Sequence, residues 1–214
     1  MTVPFNTTHD KKNLAMKKVL ALAAIAATSL AANAASINWT VSGNTTTVLY
    51  GVEVSETGEA SSSTTALKNT NVYFILAGGL DDVFKDVEKN DLNGFNTVLS
   101  SITLDTATTT ENGTKPSVTR KVVSGDDRLT AATQYTFGLL VYDTDSDGNI
   151  WYKVATANQV AYVDGADARD QKVATLAFAK LANDTQAAWT AVPEPATAAM
   201  ALLGIGMMLK RRKA

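Results

Sequence analysis

The C-terminal end of the chain restricts the fold more than any other segment, because its composition suits a membrane and not a protein core. Residues 196–209 form an apolar run without a charge, and Lys210, Arg211, Arg212 and Lys213 follow it directly. Apolar side chains lie on every side of this run, so it lacks the polar stripe of a surface helix. Four adjacent cations resist translocation and stay on the cytoplasmic side. We therefore predict a transmembrane helix over 196–209, followed by a stop-transfer signal.

This predicted helix is short for a membrane span. Fourteen residues make a helix of about 21 Å, against a hydrocarbon core of roughly 30 Å. Lys210 and Arg211 can extend their aliphatic stems to the headgroups, and a bilayer thins around a short span. We therefore expect a short or temporary anchor that leaves the preceding chain outside the cytoplasm. The alternative is an ordinary C-terminal core or amphipathic helix.

A proline-rich motif comes immediately before the apolar run: Val192, Pro193, Glu194 and Pro195. Together with the apolar run and the terminal cations, residues 192–213 resemble the bacterial PEP-CTERM sorting signal, also called the ice-binding protein C-terminal domain. The resemblance implies a bacterial protein that is exported and then processed by an exosortase near Pro193-Glu194-Pro195. It also implies a link to the cell envelope or to exopolysaccharide. It implies no activity for the rest of the chain.

The N-terminal end carries a second targeting pattern. Met16 is followed by two lysines, an apolar run at 19–30, and small residues at Ala32 and Ala34. This is the order of parts in a secretory signal peptide. We therefore predict a signal peptide with a helical apolar part, cut by signal peptidase between Ala34 and Ala35. The alternative, an N-terminal membrane anchor, suits the run less well because the run is too short to span a bilayer comfortably.

The two targeting signals divide the chain into parts. Residues 1–15 are polar and precede a complete signal peptide, so we interpret them as an upstream leader from a misassigned start. The remaining stretch between the signals is long enough for one domain with its own core. The predicted layout is a leader at 1–15, a signal peptide at 16–34, an exported domain at 35–182, a linker at 183–191 and the sorting signal at 192–213.

The exported part is more acidic than the whole chain. Residues 35–192 contain eleven Lys and Arg against nineteen Asp and Glu, a net charge of about −8, whereas the whole chain carries −2. Nucleic-acid phosphates need a positive surface, so nucleic acid is excluded as a partner. An acidic surface suits a soluble or cation-binding domain outside the cell.

The chain has no cysteine, and its only histidine is His9 in the predicted leader. No disulfide can therefore hold the exported domain together. The domain also lacks the residues for a Ser-His-Asp or Cys-His nucleophile, a histidine-supported zinc site and a histidine general base. We predict no enzymatic activity and no resident cofactor. Chemistry carried out by carboxylates remains the alternative.

Strand patterns dominate the predicted domain. Short alternating or continuous apolar segments predict strands at 37–41, 45–54, 72–77, 97–104, 117–123, 134–143 and 149–156. Apolar residues at helical spacing predict one helix at 80–90, and 105–116 is expected to be a loop. The alanine-rich segment 171–180 fits a strand or a helix. The pattern predicts a mainly β fold, a β-sandwich of immunoglobulin-like type with a short helix.

The strongest local unit is a hairpin with Asp147-Gly148 at its turn. Asp-Gly favours a two-residue type I′ turn, which would place Val141 opposite Val154. The inward face of the hairpin would then consist of four apolar residues: Phe137, Leu139, Val141 and Val154.

The same turn carries alternating oxygen-bearing side chains: Asp143, Asp145, Asp147 and Asn149. Their spacing matches the first half of a calcium-binding loop. The position that should supply a bidentate glutamate is Val154, so any calcium site would be weak. The alternative is an exposed acidic hairpin tip without a metal.

Several aromatic side chains suit stacking on sugar rings as well as packing in a core: Trp39, Trp151, Trp189, Tyr152 and Tyr162. The leading prediction is therefore a non-catalytic envelope or matrix protein, associated with exopolysaccharide. A carbohydrate-binding surface module is the first alternative, and a carboxylate-dependent glycoside hydrolase, which needs two carboxyl groups across a cleft, is the second. The expected partners are signal peptidase, exosortase, the membrane and exopolysaccharide.

Overall fold

The structure, a computed structural model, describes residues 35–163 and 173–193. This part of the chain is mainly β, as the sequence predicts, with three short helices. The strands are β1 (Ala35–Ser42), β2 (Tyr50–Val54), β3 (Ala60–Ala66), β4 (Asn71–Leu76), β5 (Thr103–Thr108), β6 (Lys121–Ser124), β7 (Gln134–Thr144), β8 (Ile150–Val160), β9 (Tyr162–Val163), β10 (Val173–Ala177) and β11 (Thr190–Ala191). The helices are α1 (Leu80–Phe84), α2 (Leu92–Ile102) and α3 (Phe178–Leu181).

The strands form three sheets. A five-stranded antiparallel sheet has the order β11-β8-β7-β4-β5. In a second sheet β1 lies between β10 and β6 and also pairs with β9. The β1–β10 pair is parallel, whereas β6 and β9 run antiparallel to β1. Strands β2 and β3 form a separate two-stranded ribbon.

The first hydrophobic core lies between the sheet around β1 and one face of the five-stranded sheet. Trp39 on β1 stacks on Phe74 of β4 with the ring centroids 4.7 Å apart. Phe74 in turn stacks on Phe137 at 5.3 Å. Phe137, Leu139 and Val141 are fully buried in this core, as predicted for the inward face of the hairpin. Aromatic stacking thus joins the two sheets.

The second core lies on the opposite face of the five-stranded sheet, under α1 and α2. Phe84 and Phe95, one from each helix, stack with their ring centroids 4.8 Å apart, and Phe84 also contacts Tyr152 of β8. Leu99 completes the buried face of α2 and is 1% exposed. Both faces of the five-stranded sheet are therefore covered, one by a sheet and one by helices.

Helix α2 occupies most of a segment predicted to be a strand, 97–104, so that prediction was wrong for residues 97–102. The Asp91 side chain caps the helix by accepting a hydrogen bond from Gly94 N at 3.0 Å. Phe95 and Leu99, four residues apart, bury one face. Strand β5 begins at Thr103, within the predicted strand, and continues to Thr108, into the segment that was expected to be a loop. The predicted helix at 80–90 is confirmed but shorter, since α1 ends at Phe84.

The turn between β7 and β8 is wider than predicted. Thr144 pairs with Ile150, so 145–149 form a five-residue loop, and Val141 lies opposite Lys153, not Val154. This shift of one residue reverses which side chains of β8 face each core. Val154 packs against the second core, and Lys153 points into the interior on the other face.

The C-terminal segment is part of the folded body. Residues 183–191, predicted to be a linker, pack against it: Ala187 and Trp189 are 5% and 6% exposed, and β11 pairs with β8. The ambiguous segment before it contains a strand and then a helix, β10 and α3. The body extends this far because burial of the large Trp189 side chain stabilises the packed segment more than its polar neighbours favour a solvated loop.

The predicted signal helix and the predicted transmembrane helix lie outside the described residues. Among the helices of 35–163 and 173–193, none has the length and apolar character needed to cross a bilayer.

Candidate functional site

Asp145 organises the loop between β7 and β8. Its carboxylate accepts hydrogen bonds from the backbone N–H groups of Asp147 and Asn149, both at 2.9 Å. It also accepts from the Asn149 side-chain amide at 2.9 Å and from the indole N–H of Trp151 at 3.0 Å. Burial raises the pKa of Asp145, but these donors outweigh it and lower the pKa overall. This carboxylate is already occupied by donors of its own loop.

The carboxylates of Asp143 and Asp147 are not arranged with that of Asp145 around a common site. Asp143 accepts from Val52 N at 3.0 Å and from Thr144 N at 2.9 Å, and Asp147 lies exposed. Among the described residues, no group of three His, Cys, Asp or Glu side chains is arranged to hold a metal ion. Calcium binding by this loop stays a prediction, and the donor arrangement favours the alternative, a metal-free hairpin tip. A melting curve in millimolar calcium and in chelator distinguishes the two.

An open cleft of about 470 Å³ lies between this loop and the turn that joins β2 to β3. Trp151 lines it, together with the Asn149 side chain and three acidic residues, Glu56, Asp145 and Asp147. No lysine or arginine of the described chain belongs to its lining. Because its N–H is held by Asp145, the Trp151 indole has a defined orientation in the cleft wall.

The other aromatic candidates for sugar stacking are less accessible. Trp39 is fully buried, Trp189 is 6% exposed and Tyr152 is 4% exposed. These three side chains therefore pack in the core, and Tyr162 lies half-buried outside the cleft lining. Trp151 is the candidate that the structure brings to a cleft.

A buried ion pair that sequence reasoning missed lies beneath the β2–β3 ribbon. Lys153 is fully buried, and its ammonium group contacts the Asp184 carboxylate. The same nitrogen donates to Ser62 Oγ at 3.0 Å and lies 5.0 Å from the centre of the Trp189 ring. The available signal was a lysine inside an apolar strand, which is unusual unless a partner neutralises it.

Asp184 also holds the ribbon. Its carboxylate accepts from Ser62 N at 2.8 Å and from Ser62 Oγ at 2.7 Å. Burial raises the pKa of Asp184, but the hydrogen bonds from Lys153 and Ser62 lower it by more. Val52, the ladder partner of Ser62, donates its N–H to Asp143. Two carboxylates from different parts of the chain therefore fix this ribbon to the body.

The sorting motif begins inside the folded body. Val192 is 1% exposed and donates its N–H to the carbonyl oxygen of Ile150 at 3.1 Å. Pro193 is half-buried. The remaining predicted targeting residues lie outside the described chain: Ala32, Ala34, Glu194, Pro195, Lys210, Arg211, Arg212 and Lys213. Ala35, the residue after the predicted signal-peptide cut, is the first residue of β1 and is fully buried.

Residues 191–213 match the PEP-CTERM protein-sorting motif. The match confirms the resemblance of the tail and begins one residue before the predicted motif. The chain thus carries the signal of exported, exosortase-sorted proteins of the cell envelope. No curated protein and no solved structure matches the chain.

Proposed function

We propose that this protein is a non-catalytic component of the cell envelope or extracellular matrix that works in association with exopolysaccharide. The observation that carries the proposal is the match of residues 191–213 to the PEP-CTERM protein-sorting motif. The apolar run that follows it would hold the exported domain at the membrane until exosortase cuts the chain. The signal peptide predicted at 16–34 would start the export.

Two features support a structural role for the domain. Residues 35–193 contain neither histidine nor cysteine. The carboxylates of Asp143, Asp145 and Asp184 all accept hydrogen bonds from protein groups, which suits structural acids better than a general base. We propose further that the domain is an immunoglobulin-like β-sandwich. The stacking of Trp39 on Phe74 across the two sheets supports this architecture.

Fractionation of the producing bacterium, with and without its exosortase gene, tests the sorting proposal. We expect the mature protein in the envelope or medium with a mass that lacks both the signal peptide and the tail, and an uncut membrane-bound form in the exosortase mutant. An intact polypeptide dissolved in the cytosol would contradict export.

A second candidate function, carbohydrate binding, is favoured by the cleft around Trp151. An oriented indole ring provides a flat apolar surface, and the exposed carboxylates of Glu56 and Asp147 provide hydrogen-bond acceptors beside it. The cleft volume of about 470 Å³ lies in the range of ligand sites. Three acidic residues without a cation would repel uronic acids. The cleft therefore suits uncharged or amino sugars.

Affinity electrophoresis in gels containing a neutral, an amino-sugar or a uronic-acid polysaccharide tests this candidate. We expect retardation by one of the first two and none by the third. Trp151→Ala should abolish the retardation, whereas Tyr50→Ala, which removes an exposed aromatic outside the cleft, should retain it. Equal binding by both variants would refute the cleft as the site. The second alternative, a glycoside hydrolase, would release new reducing ends from the bound polysaccharide.

A further inference from the structure

The segment that leads to the sorting motif is held by several independent contacts. We name residues 183–193 the C-terminal strap. Asp184 near its start binds Lys153 and Ser62, and Trp189 is buried beside Lys153. Residues 190–191 of the strap form β11 on the edge of the five-stranded sheet, and the Val192 side chain packs in the second core. The strap is therefore part of the tertiary structure up to the motif itself.

Little chain separates the strap from the predicted membrane segment. Only residues 193–195 lie between buried Val192 and the apolar run that begins at Ala196. Three residues span at most about 11 Å even when fully extended. An enzyme acting on Pro193-Glu194-Pro195 would therefore meet its substrate directly against the folded body.

Enzymes that cut or transfer peptides commonly bind the substrate chain as an extended strand, through its backbone N–H and C=O groups and through pockets for side chains. The Val192 N–H is already bonded to Ile150, its side chain is buried, and residues 190–191 already pair with β8. In the folded body the N–H and the side chain of Val192 are therefore occupied. An enzyme that binds its substrate through these groups of Val192 requires the end of β11 to leave the sheet.

We propose that exosortase processing requires the end of the strap, residues 190–192, to detach from β8, and that the Lys153–Asp184 pair controls how often it does so. This inference rests on the proposed sorting function. It makes the ion pair a positioning device for the cleavage reaction, with Asp184 eight residues before Val192 of the motif. Processing would then depend on the stability of the strap as well as on the motif.

A reversible cross-link tests detachment directly. Ala191 pairs with Trp151, and the neighbouring Val192–Ile150 hydrogen bond places this pair at a non-hydrogen-bonded position, where Cβ atoms are closest. The native chain has no cysteine, so Ala191→Cys combined with Trp151→Cys introduces one defined disulfide in the oxidising envelope. We expect processing of the oxidised double variant to stop and to resume on reduction. The oxidised and reduced forms share one sequence, so each sample provides its own control.

Loosening the strap tests the role of the ion pair. Asp184→Asn removes the charge that neutralises Lys153, and processing in a pulse–chase experiment should become roughly fivefold faster, the factor given by about 1 kcal/mol. Val72→Ala changes a fully buried residue on β4, three strands away from β11 in the sheet, and serves as the control for general loss of stability. The two variants are compared at temperatures chosen to give them equal unfolded fractions.

The results distinguish the inference about strap detachment from the proposed sorting function. Processing of the oxidised cross-linked chain at the native rate would overturn the inference and leave the sorting function intact. No acceleration by Asp184→Asn, or an equal acceleration by Val72→Ala, would also overturn it. Absence of processing in the native chain would instead contradict the sorting function itself.

Discussion

Lys153 and Asp184 form an ion pair whose two ends differ in their access to water. The Lys153 side chain is fully buried, whereas the Asp184 side chain is 39% exposed. Removing the acid therefore leaves a buried, uncompensated ammonium group. Removing the lysine leaves a carboxylate that water can still reach.

This asymmetry predicts unequal costs for the two single substitutions. Asp184→Ala should lower the free energy of unfolding by about 3 kcal/mol, near the lower end for a broken buried pair. Lys153→Met keeps most of the volume and should cost about 1 kcal/mol or less. Urea unfolding of the exported domain measures both. Equal losses of unfolding free energy would show that the different burial of Lys153 and Asp184 does not determine the cost of each substitution.

Asp184 also predicts a pH dependence. The pKa of Asp184 is lowered in the folded protein, so its contribution to stability is present above the unfolded-state pKa of about 4 and is lost as the pH falls through the folded-state value. The native domain should lose stability progressively as the pH falls below about 5. Asp184→Asn should lose less over this range, as judged by urea midpoints at each pH. Parallel curves for the two proteins would contradict this assignment.

At the scale of elements, helix α2 depends on a local signal at its start and on packing along its face. Thr97, Val98 and Ile102 are β-branched, and they favour a strand when read locally. The Asp91 cap and the four-residue spacing of Phe95 and Leu99 favour a helix. Burial of that face against the five-stranded sheet decides the outcome.

The cap of α2 provides a test of this account. Asp91→Ala removes the acceptor for Gly94 N and should lower the free energy of unfolding by about 1 kcal/mol. Asp91→Asn retains a capping oxygen and should stay within a few tenths of a kcal/mol of the native domain. Thermal unfolding of both variants measures the difference. A loss in Asp91→Asn as large as in Asp91→Ala would point to charge and not to capping.

At the scale of the molecule, the folded body includes the strap. Two truncations separate these boundaries. A chain of 35–193 keeps the Lys153–Asp184 pair, Trp189 and Val192, and should unfold cooperatively. A chain of 35–182 exposes the second core and leaves Lys153 without its acid, so it should unfold at a much lower temperature or fail to fold. Similar melting temperatures for both would make 183–191 a linker after all.

The parts of this protein that sequence alone determined are those encoded by neighbouring residues. The sorting motif at 191–213 is a linear order of prolines, apolar residues and cations, so it needs no long-range contact to be recognised. The mainly β character follows from alternation along segments such as β7 and β8, because side chains of a strand alternate between its two faces. The inward placement of Phe137, Leu139 and Val141 follows from the same alternation.

Tertiary structure alone decided the register of the hairpin and the limits of the body. The Asp147-Gly148 turn has a local preference, but the hydrogen bonds that Asp145 accepts produce a wider loop and shift β8 by one residue. Lys153 can lie in the interior only because Asp184, thirty-one residues further along the chain, neutralises it there. A lysine inside an apolar strand signals locally that it needs a partner, but it does not identify Asp184, because only the fold brings the two residues together.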